Sequence, residues 1–102
     1  MDDKALAQQV LDGFPEDTSQ RIQALEVFLE AGDWVCAERQ AHSINGSSGS
    51  IGGEALRAVA LEIEKALRAG HLAAATEKMP DLIKQFELLK EAIAKQIEIW
   101  KQ

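Results

Sequence analysis

The chain has 102 residues, 46% of them hydrophobic, with 17 acidic against 11 basic side chains and a net charge of -6. That is enough chain for one hydrophobic core and too little for two, and it is too apolar for a disordered tail. Basic residues never gather beyond one or two in a row, so the footprint of a nucleic-acid binder is excluded, and no stretch approaches the roughly 18 continuous apolar residues that cross a bilayer. The start carries Asp2 and Asp3 rather than a basic segment, with no long apolar run after them, and the default expectation is a soluble, cytoplasmic protein.

Ala, Leu, Glu, Lys and Gln dominate, with two prolines and no tyrosine, a helical composition. No internal repeat is evident, and the one low-complexity patch is GSSGS at 46–50. Periodicity predicts a short helix over about 4–11, with Leu6 and Val10 at helical spacing, ended by Gly13 and Pro15. A second is expected over about 17–31, burying Ile22, Leu25, Phe28 and Leu29, with Gly32 as its stop. Asp33 is a good N-cap for a third, over about 33–51, in which Trp34, Ala37, Ala41, Ile44, Ser48 and Ile51 recur at the spacing of a bundle seam.

Gly52 and Gly53 break that helix. A fourth follows over about 54–69, with Leu56, Ala60, Ile63 and Leu67 inward and Gly70 as its stop. The last helical region runs over about 72–100, interrupted or kinked at Pro80, with Leu82, Phe86, Leu89, Ile93, Ile97 and Trp100 as one stripe. The expected fold is all-α: a single domain over 1–102, an antiparallel up-and-down four-helix bundle with a short extra N-terminal helix.

At about 100° per residue, His42 points roughly 130° away from the mean direction of the seam and therefore faces solvent. Val35, Glu38, Arg39, Asn45, Gly46 and Gly49 share its face. Each of the two glycines costs a helix about 1 kcal/mol relative to alanine, and neither sits in the seam. Clearing side chains one turn beyond an exposed imidazole leaves it proud of a shallow surface that a partner's backbone can approach closely, as group transfer between two proteins requires.

The other chemistry-bearing residues form no comparable arrangement. His71 lies at the start of the last helical region without a cleared face, and reads as ordinary surface. Two histidines 29 positions apart and the single Cys36 make no ligand cluster at zinc spacing, so no metal is expected, and Cys36 reads as a small buried hydrophobe. Glu62 and Glu64 diverge by about 200° on a helix and cannot work as a paired acid and base. Trp34 and Trp100 fit the apolar stripes as packing residues.

The run AHSINGSSGSIG at 41–52 resembles the signature of the histidine-phosphotransfer (HPt) family, in which a phospho-accepting His is followed by a small residue, an aliphatic one, usually Lys, then Gly and a small residue. The links FLEAGD at 28–33 and GEAL at 53–56, and the segment EIE at 62–64, also look like this family, so the similarity spans roughly 18–95.

The resemblance implies that His42 accepts a phosphoryl group from a receiver-domain aspartyl-phosphate and passes it to another receiver's Asp, without catalytic machinery of its own. An exposed neutral imidazole is a competent nucleophile near neutral pH. No cofactor is then expected on this chain: the receiver brings the Mg²⁺ and the Lys that neutralise charge in the transition state. Response-regulator receiver domains are the implied partners, with a sensor histidine kinase as a further candidate. Ser43, Gly46 and Gly49 form the close-approach surface, and Val35 and Ile51 contribute to recognition.

In the family a polar side chain from the next helix orients the imidazole, and the matching position is Glu64, which helical geometry puts roughly 80° from its helix's core direction. The family's Lys three residues after the histidine is Asn45 here, which can donate hydrogen bonds to phosphoryl oxygens but brings no positive charge against roughly -1.5 to -2. Arg39, one turn before His42, is the expected substitute, since guanidinium pairs well with phosphate. Two alternatives stay open at this level. One is a helical adaptor that kept the bundle and lost the chemistry, which Asn45 favours. The other is a kinase dimerisation domain, which needs a two-helix hairpin paired with a second copy and commonly an acidic residue where Ser43 stands. Four helices in one chain already close a core, so a monomer is expected.

Overall fold

The computed structural model describes residues 3–101, with side chains from Gln8 onward. Five helices follow in order: α1 (Asp3–Ala31), α2 (Trp34–Ser50), α3 (Glu54–Arg68), α4 (Leu72–Glu77) and α5 (Met79–Lys101). Helices α1, α2, α3 and α5 close a ring in which α1 packs on α2, α2 on α3, α3 on α5 and α5 back on α1. The links between the long helices are short, which makes neighbours antiparallel. The six-residue α4 caps the passage from α3 to α5.

The N-terminal region corrects the expectation from sequence. Instead of a short helix and a break, α1 is one helix of 29 residues running straight through Gly13 and Pro15. Pro15 lacks an N–H for the Leu11 carbonyl and crowds that turn, a local cost. Packing overrides it. Phe14, Thr18, Ile22, Leu25 and Leu29 are buried and Leu11 packs against the core, so the inward stripe crosses the proline without interruption. Pro15 itself lies beside that stripe, and Phe14 meets Phe86 of α5 with ring centroids 6.5 Å apart in a tilted geometry. Val10 is exposed rather than inward, and the side chain of Leu6 lies outside the described residues.

Each long helix before α5 ends on the same device. Gly32, Gly52 and Gly70 have φ of 72°, 76° and 78°, a left-handed conformation that glycine adopts without steric cost. The N–H one residue beyond each glycine reaches back five positions: Asp33 to Phe28 at 2.9 Å, Gly53 to Ser48 at 2.8 Å and His71 to Ala66 at 2.8 Å. These are Schellman closures, which satisfy terminal carbonyls and reverse the chain. After the first of them Asp33 caps α2, its carboxylate accepting from the Cys36 N–H at 3.1 Å. That bond holds the Asp33 carboxyl below its ordinary range, and the same carboxylate, bonded to the half-buried Cys36 thiol, pushes that thiol up.

The inward residues of α2 are Ala37, Ala41, Ile44 and Ser48, and those of α3 are Leu56, Ala60, Ile63 and Leu67. Small residues on α2 let α3 approach closely, and Gly53 at the start of α3 is a buried contact point where a Cβ would lie 2.7 Å from Leu89 Cδ2 and 3.3 Å from the Ser48 carbonyl oxygen. Trp34, expected in the seam, is half-exposed: it sits at the first position of α2, beyond the end of the bundle's core. The last helical region is broken, but at Lys78, and Pro80 sits in the first turn of α5, where a missing N–H costs nothing. From there Leu82, Phe86 and Ile93 are buried, Leu89 and Ile97 pack partly against the core, and Trp100 stays half-exposed at the end of the stripe. Lys78 also bridges to Glu62 of α3 at 2.8 Å.

Candidate functional site

The packing of α2 against α3 leaves a shallow groove on one side of the bundle, lined by Val35, Glu38, Arg39, His42, Ser43 and Arg68. His42 stands on the outer face of α2 with its side chain 68% exposed, and the opposite face of the same turn holds the fully buried Ala41 and Ile44. The helix is therefore fixed in rotation by its apolar side, which aims the imidazole outward.

Glu64 is the unexpected part. It lies next to Ile63 on α3 and is 2% exposed, a buried carboxylate rather than one at the flank. Such a group is tolerated only when paired and hydrogen-bonded. Here Oε2 meets His42 Nδ1 at 2.9 Å and Arg68 Nη2 at 2.6 Å, while Oε1 accepts from Asn45 Nδ2 at 3.4 Å. An ionised carboxylate can only accept, so Nδ1 carries the proton and Nε2 keeps its lone pair. Orientation and tautomer are thus set by one bond from α3 to α2, which leaves Nε2 of the exposed imidazole as the nitrogen with a free lone pair.

Asn45 spends its amide on Glu64. Its position three residues after His42 makes it part of the orienting set, and it brings no cation. Arg39 is exposed, borders the groove and forms no ion pair among the described residues. The cation bonded into the site is Arg68, one helical turn past Glu64, whose Nε also donates to Glu38 Oε1 at 2.6 Å. Glu38, and behind it Glu64, hold the Arg68 guanidinium above its ordinary range. Sequence reasoning passed over Arg68, although its spacing of four from Glu64 places both on one side of α3.

The two glycines of α2 prove different. Gly46 is exposed and a Cβ there would meet open space, whereas a Cβ on Gly49 would lie 3.0 Å from the Arg57 side chain of α3. Gly46 alone clears the surface, and Gly49 makes room for a neighbouring helix. Around them Ser47 Oγ bonds the Ser43 carbonyl at 3.0 Å and Ser50 Oγ the Gly46 carbonyl at 3.1 Å, so this glycine-containing turn keeps its carbonyls doubly engaged. Ser43 is half-buried on the groove wall, and His71 is exposed at the N-cap of α4, away from the site.

Comparison with known proteins identifies the family. The family model for the Hpt domain matches residues 9–96, and the chain belongs to that family. It is a phosphotransfer-relay protein of the two-component type, working with receiver domains and kinases as HPt domains do. Among solved structures it is similar to histidine-containing phosphotransfer protein B (HptB) from Pseudomonas aeruginosa PAO1, with a TM-score of 0.84 and 26% sequence identity over 94% of this chain and 92% of that one. No curated protein matches the chain at a significant level. No helix among the described residues is long and apolar enough to cross a membrane.

Proposed function

We propose that His42 is the phosphorylated residue, accepting a phosphoryl group from the aspartyl-phosphate of one receiver domain and passing it to the aspartate of another. The observation that carries this reading is the His42–Glu64 bond, which leaves an exposed Nε2 with its lone pair free. In the forward step Nε2 attacks phosphorus, the acyl phosphate P–O bond breaks, and the receiver's carboxylate leaves with the electron pair. Positive charge gathers on the imidazole as the N–P bond forms, and Glu64 lies against the Nδ1–H that bears it. The return step is the reverse.

The receiver docks over the groove and the Gly46 surface, with Val35, Ser43 and Ile51 at its margins, and brings the Mg²⁺ that this chain does not supply. Arg39 lies free to pair with phosphoryl oxygens where the family's Lys is replaced by Asn45. Incubation with a phosphorylated receiver and Mg²⁺ tests the reading: acid-labile label is expected on the wild type and absent from His42→Gln. No label from a panel of receivers would point to a binding adaptor instead. Arg39→Ala is expected to slow transfer by about threefold, and unchanged relay kinetics in that variant would remove Arg39 from the site.

A further inference from the structure

Glu38 has no part in the transfer step, yet it makes one of the shortest polar contacts of the groove. It sits on α2 one turn before His42 and on the same face, with its side chain 31% exposed, and Arg68 reaches it from α3. The Arg68 fork is therefore shared: Nε on Glu38, Nη2 on Glu64, both at 2.6 Å. Before phosphorylation the groove holds two guanidinium groups and two carboxylates, a balanced set. A phosphoryl group on Nε2 adds roughly -1.5 to -2 charge to it.

A planar guanidinium binds phosphate oxygens through adjacent N–H groups, and one of the Arg68 groups suited to this is engaged by Glu38. The Arg68 side chain is 58% exposed, and among the described residues its ion-pair partners are these two carboxylates. Glu64 is buried and holds its end whichever partner Nε has. We propose that Glu38 is a positioning residue that keeps Arg68 in reserve beside unphosphorylated His42, competes with the phosphoryl group for its guanidinium, and so sets the lifetime of phospho-His42. The inference rests on the reading of His42 as the phosphoryl acceptor. It also accounts for how a site with Asn45 in place of a Lys holds a dianion: the cation comes from α3 and is released by displacement of a carboxylate.

The intact chain can be phosphorylated without any receiver by phosphoramidate. His42 Nε2 attacks phosphorus, the donor's P–N bond breaks, and ammonia leaves with a proton from solvent. Decay is then followed in donor-free buffer by ³¹P NMR, as water attacks phosphorus and the N–P electron pair returns to Nε2. Glu38→Gln should lengthen the half-life by about two- to fivefold and Arg68→Gln should shorten it by a similar factor. In the Arg68→Gln background, Glu38→Gln should have almost no effect. An unchanged half-life in Glu38→Gln overturns the inference, and so does equal lengthening in both backgrounds, which would mean plain repulsion between Glu38 and the phosphoryl group. The Arg68 Nε–H resonance should move on phosphorylation of the wild type, and a stationary resonance is a second refutation. Should receivers fail to label His42 while phosphoramidate labels it, the relay reading fails and the competition is still measured. Failure of phosphoramidate to label His42 overturns both.

Discussion

Glu64→Gln keeps the volume of a buried side chain and removes its charge, so it isolates what the carboxylate does for His42. In the wild type the Nδ1–H donates to an ion, a bond worth about 1.5–3 kcal/mol, against about 0.5–1.5 kcal/mol for a neutral pair. An amide can also turn its NH₂ toward Nδ1, which favours the tautomer with the proton on Nε2 and blocks attack. The charge that develops on the imidazole as Nε2 bonds to phosphorus loses its counter-ion as well. Together these put the loss at about 1–2 kcal/mol of transition-state stabilisation, or about five- to thirtyfold in the transfer rate. Stability should move little, because the lost pairing is offset by relief of a buried charge. Rapid-quench transfer from a labelled receiver gives the rate, and ¹⁵N chemical shifts of the ring give the tautomer. Wild-type transfer in Glu64→Gln, with Nδ1 still protonated, would refute the orienting role.

Three further outcomes follow from other parts of the structure. Gly46→Ala should raise stability by about 0.5–1 kcal/mol in a urea titration, since the added Cβ meets open space on a helix, yet slow transfer from receivers by crowding the docking surface; equal transfer would show that the clearing is not used. Gly53→Ala forces a methyl to 2.7 Å from Leu89 Cδ2 and 3.3 Å from a backbone oxygen, and should destabilise by about 1–3 kcal/mol, partly recovered by Leu89→Ala in the same chain. Asp33 has a folded-state carboxyl pKa below its unfolded value of 3.8, so its contribution is present above that value and lost as pH falls through the lower folded one. Asp33→Asn keeps a capping side chain without the titration, and its Tm should therefore fall less than that of wild type between about pH 5 and pH 2.

The all-helical bundle was legible because its signals are local. Ile22, Leu25, Ala37, Ala41, Ile44, Leu56, Ile63 and Leu82 recur at helical spacing and are all buried, and Gly32, Gly52 and Gly70 sit where the chain must turn left-handed. The misreadings came where a local rule met a tertiary one. Gly13 and Pro15 are breakers by propensity, but the stripe from Leu11 through Phe14 and Thr18 to Ile22 is covered by the core that α1 shares with α2 and α5, and its burial outweighs one missing hydrogen bond. Trp34 has the spacing of a seam residue and lies past the end of the seam, a matter of where neighbouring helices stop, which periodicity does not encode.

The site divides along the same line. The outward aim of His42 follows from the rotation of a single helix, and the open surface at Gly46 from the absence of a side chain. Glu64 required a family match to single out, because an acidic residue beside a core isoleucine looks like a surface residue until the facing helix closes over it. The pairing of Arg68 with Glu38 was invisible for the stronger reason that it joins two helices, and nothing in either helix alone predicts which of several charges will meet. Under the proposed competition, Arg68 is the residue that reconciles Asn45 with phosphotransfer. The buried carboxylate at the α2–α3 contact takes neutral donors from His42 and Asn45, and its cation comes from the same helix, one turn on at Arg68. The ion pair with Glu64 places the Arg68 guanidinium beside the imidazole, and under the proposed competition it supplies from α3, alongside Arg39 of α2, the charge that the usual Lys would bring.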